Sequence, residues 1–259
     1  MSEDVWNPEL YERFRDERSR PFFDLLALVR PRRGMRVADL GCGTGALTAE
    51  AHRRLQARET LGVDSSPAML EKAAPLAGGG LSFAAGDIAD FGRDAGGRFD
   101  LVLSNAALHW LPDHAALLAR IVSALAPGGQ LAVQVPANHD HPSHALAHAL
   151  AREEPFAATL GGHARGTPVL KPEEYAVLLR RLGFAEQQVR LQVYLHELPS
   201  TAEVVEWVRG TLLTDYQRRL PPDLWERYLS AYRRRLLAAL PDDRPYLYTY
   251  KRILFWAAL

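Results

Sequence analysis

The sequence predicts an α/β protein built on a mostly parallel sheet, and three observations carry that prediction. A short apolar run, Val37-Ala38-Asp39-Leu40, leads into Gly41-Cys42-Gly43-Thr44-Gly45, and helix-forming residues resume at once with Ala46-Leu47-Thr48-Ala49-Glu50. Apolar runs of strand length then alternate with helical stretches as far as residue 135, the pattern of parallel strands joined by crossover helices. Aspartates stand at the ends of the first three runs: Asp39, Asp64 and Asp87.

Each element has its own signal. Asn7-Pro8-Glu9 supplies a side-chain cap, a proline at the first helical position and an acid at the positive end of the dipole. Pro21 is expected to end that helix, and Phe22, Phe23, Leu25, Leu26 and Val29 to form a second one stopping near Pro31. The first strand covers 36–40. Thr60-Leu61-Gly62-Val63 is the second, and Ser65-Ser66-Pro67 opens the helix after it. Leu81-Ser82-Phe83-Ala84-Ala85 is the third, and a loop through Gly92 and Gly97 leads to the fourth, Phe99-Asp100-Leu101-Val102-Leu103. Pro112-Asp113 starts a helix with Leu117, Leu118, Ile121, Val122 and Leu125 on its apolar face; Gly128-Gly129 ends it, and 130–135 is the fifth strand.

Beyond Pro136 the alternation stops. Residues 138–171 read as short helices and loops, 172–182 as a helix capped by Gly183, and 184–195 as a strand. Helices over 201–220 and 222–240 precede a last strand over 247–257. This divides the chain into a helical lid (1–30), a ligand-binding core (31–137), helical cap pieces over the binding edge (138–171 and 196–246) and the rest of the sheet (172–195 and 247–259).

Composition narrows the function. Among 259 residues, 31 basic side chains balance 31 acidic ones, so no net field draws a nucleic acid. Cys42 is the only cysteine, which rules out an intramolecular disulfide and points to a reducing compartment. No secretory signal opens the sequence and no run reaches membrane-spanning length, so a cytoplasmic location is expected. Cys42 has no histidine partner in the sequence and stands where a small residue is needed. His139, His141, His144 and His148 crowd one segment, but with no H-E-x-x-H and no third ligand of the right type no metal is expected.

Two ligand-binding turns share the glycine pattern. Gly41, Gly43 and Ala46 satisfy the dinucleotide fingerprint, whereas Asp39, Gly41, Gly43 and Gly45 satisfy the D-x-G-x-G-x-G loop of S-adenosylmethionine sites. Asp39 favours the second: a carboxylate there repels a pyrophosphate and attracts the ammonium of a methionine tail. In an open parallel sheet, ligands lie beyond the carboxyl ends of the strands. Asp64, followed by Ser65 and about 20 residues past the turn, suits the ribose hydroxyls. Asp87 suits an adenine amino group, with Ile88 and Met69 on the ring faces, and Asn105 suits the methionine moiety.

These motifs, with Ser104-Asn105-Ala106-Ala107-Leu108-His109-Trp110-Leu111-Pro112-Asp113-His114, resemble those of class I methyltransferases, whose Rossmann-like sheet ends in an antiparallel strand. The opening Trp6-Asn7-Pro8-Glu9-Leu10-Tyr11, Val133-Gln134-Val135-Pro136, Glu206-Trp207-Val208 and Lys251-Arg252-Ile253 resemble, more narrowly, the trans-aconitate 2-methyltransferases. The resemblance implies methyl transfer from S-adenosyl-L-methionine to a carboxylate oxygen of a small acid, with no catalytic base. It also implies a substrate site drawn from Tyr11, Arg18, His109, Trp110, Trp207, Arg209, Tyr250 and Arg252, the arginines pairing with carboxylates that do not react. At 212–215 the chain reads Leu-Leu-Thr-Asp where that family has Gly-Leu-Arg-Pro. A different small metabolite is the alternative acceptor, and a nucleotide-binding or NAD-dependent Rossmann protein the alternative class.

Overall fold

Seven strands form one sheet: β1 Arg36–Leu40, β2 Glu59–Asp64, β3 Leu81–Ala85, β4 Phe99–Asn105, β5 Leu125–Pro136, β6 Glu186–Leu198 and β7 Tyr246–Ala258. In this computed structural model residues 15–93, 97–163 and 167–259 are described. The spatial order is β3-β2-β1-β4-β5-β7-β6. The pairs β1–β2, β2–β3, β1–β4 and β4–β5 are parallel, and β5–β7 is antiparallel with Gln130 opposite Ala258 and Pro136 opposite Arg252. From β1 the chain builds outward to β2 and β3 on one side and to β4 and β5 on the other. The order therefore reverses between β1 and β4, which opens a crevice at their carboxyl ends.

Burial follows the same plan. Leu40, Leu101, Val102, Leu131, Val133 and Leu254 are at most 0% exposed, as central strands covered on both faces require. The helices are α1 Arg15–Leu26, α2 Ala46–Leu55, α3 Pro67–Ala73, α4 His114–Ser123, α5 Pro142–Leu150, α6 Phe156–Leu160, α7 Pro172–Arg181, α8 Glu203–Arg209, α9 Thr214–Arg219 and α10 Pro222–Ala239. Among the described residues, no helix is long and apolar enough to cross a membrane.

Three elements differ from the sequence reading. Pro21 lies inside α1 and does not end it. Its missing N–H and ring clash cost about 3 kcal/mol, but burying Phe22 and Leu25 one and four residues later contributes roughly 1.5–3 kcal/mol each. The expected helix over 201–220 is two helices, broken at Gly210-Thr211-Leu212-Leu213, where the Leu213 N–H reaches back to the Val208 carbonyl. Leu125 belongs to β5 and not to the helix before it, and a register shift between Phe99 and Leu101 absorbs the turn at Gly128-Gly129. The expected helix start at Asn7 lies outside the described residues.

Close contacts divide the chain into two units. One holds residues 18–136, 168–192 and 252–259, including β1 to β5. The other holds residues 137–167 and 193–251, with the described residues 15–17. The core of that second unit is aromatic: Trp207, Tyr216, Tyr228, Tyr232 and Tyr248 are all buried. Their polar tips are matched, as buried hydroxyls must be. Tyr228 donates to the Ala147 carbonyl (2.7 Å), Tyr232 to the Ser143 carbonyl (2.8 Å), and Tyr248 meets Ser143 Oγ (3.0 Å).

Candidate active site at the carboxyl ends of β1 to β5

The glycine turn is stitched to the neighbouring strand. The N–H groups of Gly41 and Cys42 both donate to the Val63 carbonyl, at 2.8 and 3.1 Å. Gly41, Gly43 and Gly45 have φ of 78°, 55° and 75°, the left-handed region that glycine enters freely. The three serve different ends. A Cβ on Gly41 would stand 2.3 Å from Ala107 Cβ, and one on Gly45 2.7 Å from the Phe83 ring, so both permit close packing of the protein on itself. A Cβ on Gly43 would meet nothing within 4 Å. Only Gly43 presents bare backbone to open space, where a ligand can lie against it.

Two carboxylates flank this turn. Asp64 accepts from the Gly43 N–H through Oδ2 (2.8 Å) and from the Ser66 N–H through Oδ1 (2.9 Å), fixing both the turn and the entry to α3. Ser66 caps α3 by accepting from the Met69 N–H (3.4 Å), and Ser65 is exposed beside it. Asp39 is buried and accepts from the Thr48 hydroxyl at 2.6 Å. Burial pushes its pKa up to about 6, against the Thr48 hydrogen bond, and the nearby charge of Asp64 adds to the rise. Burial, then Asp39, then Asp64 push the Cys42 thiol up to about 12, so it stays protonated and is no nucleophile. The turn therefore lies in a negative potential.

The remaining sequence-predicted donor residues gather here. Ile88 Cδ1 lies 3.5 Å from the Cβ position of Gly41. Asp87 is exposed and accepts from the Ala89 N–H (2.8 Å), capping the short turn Ile88–Asp90 with one oxygen and leaving lone pairs on the other. Asn105 ends β4, and its Oδ1 is buried without a hydrogen-bond partner among the described residues. Beyond it Ala106 takes φ 53°, and the turn Leu108–Trp110 places His109 on Trp110 with ring centroids 4.8 Å apart. Trp110 is 46% exposed, a large apolar surface at the rim.

The other predicted substrate residues have partners of their own. Trp207 and Tyr250 are buried in the second unit, where Trp207 stacks on His196 at 4.6 Å and lies 6.0 Å from Tyr250. Arg209 is exposed on α8 and pairs with Glu206 at 3.5 Å. Thr214, standing where the resemblance places an arginine, is buried and donates to the Thr211 carbonyl at 2.6 Å. Arg252 is buried on β7, and its Nη1 donates to Gln134 Oε1 at 3.4 Å. Tyr11 lies outside the described residues, and of Arg18 only the helical backbone is described. In the histidine-rich segment, His141 caps α5 by accepting from the Ser143 N–H (3.1 Å), and His148 bonds the Tyr216 hydroxyl (2.8 Å). No group of three or more His, Cys, Asp or Glu placed to hold a metal occurs among the described residues.

His114 and Gln134 escaped the sequence reading of the site. His114 is buried and holds the Leu108 carbonyl at 3.0 Å, fixing the turn that carries His109. Its partner Tyr175 is 61 residues away, so no local pattern reveals the pair. Gln134 had a visible signal, a lone amide in the apolar run Leu131-Ala132-Val133-Gln134-Val135.

Comparison with known proteins agrees with this geometry. The model of a methyltransferase domain family matches residues 11–189. The trans-aconitate 2-methyltransferase of Deinococcus radiodurans is 46% identical over 259 residues, with 98% of each chain covered. That of Variovorax paradoxus is 41% identical, covering 91% of this chain and 90% of its own. Among solved structures, the YcgJ protein of Bacillus subtilis superposes with TM-score 0.60 at 17% identity, covering 92% of this chain and 97% of that one. Phosphoethanolamine N-methyltransferase 2 of Haemonchus contortus, solved with S-adenosyl-L-methionine, gives 0.53 at 18%, covering 92% of this chain and 52% of that one. At such identities the two structures speak to the fold alone.

Proposed function

The chain belongs to the class I S-adenosylmethionine-dependent methyltransferases, and from that premise we propose that it forms a methyl ester on a carboxylate of trans-aconitate. The observation that carries the donor's identity is the negative potential at the glycine turn, raised by Asp39 and Asp64 together. It favours a cationic ligand and opposes a pyrophosphate. The acceptor rests on near full-length likeness to enzymes of that name.

The residues present fit the donor. Gly43 offers bare backbone, and Asp64 keeps a lone pair on each oxygen for ribose hydroxyls after bracing the turn. Asp87 retains acceptor capacity for an adenine amino group, Ile88 and Met69 supply apolar contact, and the buried Oδ1 of Asn105 suits an ammonium. When bound, S-adenosylmethionine supplies a methyl group on a positively charged sulfur that leaves as a neutral thioether.

The chain's own part is placement. A carboxylate is already ionised at neutral pH, so no side chain has to remove a proton. What remains is to align the acceptor oxygen and keep water away, which favours a transition state in which opposite charges cancel. Equal numbers of acidic and basic residues suit a small acid better than a polyanion, and the proposal places the enzyme in the cytoplasm. Incubation with methyl-labelled donor and a panel of di- and tricarboxylic acids tests it: labelled trans-aconitate ester is expected, and no ester from any acid overturns the reading.

A further inference from the structure

A glutamine amide in the middle of the sheet is only half matched. Gln134 is 0% exposed near the end of β5, yet its Nε2 has no hydrogen-bond partner among the described residues. Its orientation is not arbitrary. Arg252 has only donors, so the amide atom facing its Nη1 at 3.4 Å must be the oxygen, and Nε2 must point elsewhere. On β4 the register partner of Gln134 is Asn105, whose Oδ1 is also buried and unmatched. A desolvated polar atom without a partner is expensive, and two on adjacent strands are expected where a ligand completes the bonding.

Position decides which ligand. The residues proposed for the donor stand at the ends of β1, β2, β3 and β4, with Asn105 on β4 the last of them. β5 is the next strand out, about 4.8 Å further, and β7 the one after. A group that meets Gln134 therefore stands beyond the residues proposed for the donor, on the side of the acceptor. An N–H donor held against a buried guanidinium suits an anion.

We propose that Gln134 Nε2 donates to a carboxylate of the acceptor, with Arg252 fixing the amide and adding a positive field. Gln134 is then a specificity-determining residue for the acid. A neutral amide orients a carboxylate without neutralising it, which leaves its oxygens nucleophilic. The inference rests on the reading of this chain as a carboxyl methyltransferase.

Gln134→Leu keeps the bulk and deletes the donor. The expected result is a KM for trans-aconitate raised roughly ten- to a hundredfold, with kcat and the calorimetric Kd for S-adenosylhomocysteine close to wild type. Gln134→Glu sets a carboxylate against the acid and should raise KM further; it also decides the matter if the leucine variant fails to fold. An unchanged KM in both variants overturns the inference while leaving the activity standing. A weakened Kd for S-adenosylhomocysteine with unchanged acid KM overturns it too, by moving the amide to the donor. Wild-type protein that esterifies no acid removes the reading beneath it, and the inference with it.

Discussion

His114 Nδ1 and the Tyr175 hydroxyl lie 2.5 Å apart in the interior, and the direction of that hydrogen bond is dictated by what each side chain does next. His114 Nε2 faces the Leu108 carbonyl, which can only accept, so Nε2 carries the proton and Nδ1 must accept from the phenol. The Tyr175 oxygen in turn accepts from the Leu170 N–H at 3.4 Å. Burial holds the histidine below its usual pKa and pushes the tyrosine well above its own, so both stay neutral. The chain Leu170–Tyr175–His114–Leu108 thereby holds the turn bearing His109 and Trp110.

Removing the phenol leaves Nδ1 buried and unmatched. Tyr175→Phe is expected to cost about 1–3 kcal/mol in urea unfolding, and a loss below a few tenths would show that the bond contributes nothing. His114 also carries a pH signature. Its folded pKa lies below the unfolded value, so its contribution is constant above about pH 6.5 and declines as pH falls, because the unfolded state takes the proton first. His114→Gln, which can donate to Leu108 and accept from Tyr175, should flatten part of the fall in Tm between pH 6.5 and 5.

Asp39 works in the opposite sense. Its folded pKa of about 6 lies above the unfolded value of 3.8, so the folded state holds the proton more tightly and stability falls as pH rises between the two. Above pH 6 the ionised, buried carboxylate costs on the order of 2–3 kcal/mol. Asp39→Asn should therefore stabilise the ligand-free protein at pH 8 and much less at pH 4. The same change should weaken S-adenosylhomocysteine binding and lessen discrimination against NAD, both measurable by calorimetry. A variant that is no more stable at pH 8, or that binds the donor product unchanged, would contradict this account.

Asp64→Ala removes both the brace on the turn and the proposed acceptor for ribose hydroxyls. Affinity for S-adenosylhomocysteine should drop by on the order of 2 kcal/mol, about thirtyfold. Unchanged affinity would reject that role.

The three glycines of the turn should separate in experiment. Gly41→Ala drives a methyl group into Ala107 and should lower Tm sharply. Gly43→Ala meets no neighbour, so it should lose only about 1–2 kcal/mol from its left-handed backbone while blocking the donor. Equal losses of stability would indicate that Gly43 also serves packing.

Much of the candidate site's backbone was legible because it depends on local demands. Glycines that must take positive φ, and acids that end successive strands, announce themselves within a few residues. What stayed hidden depends on distant partners. Pro21 continues α1 because Phe22 and Leu25 find a core to fill. Of the residues the resemblance implies for the substrate, Arg209 pairs with its helical neighbour Glu206, and Arg252 faces an amide. Nothing in their immediate sequence distinguishes those two fates.

The path of the chain carries an evolutionary corollary. One unit is drawn from 15–17, 137–167 and 193–251 and the other from 18–136, 168–192 and 252–259, with β6 and β7 each starting in one unit and finishing in the other. Neither unit corresponds to an uninterrupted stretch of gene, so no single recombination event can trade one for a homologue's.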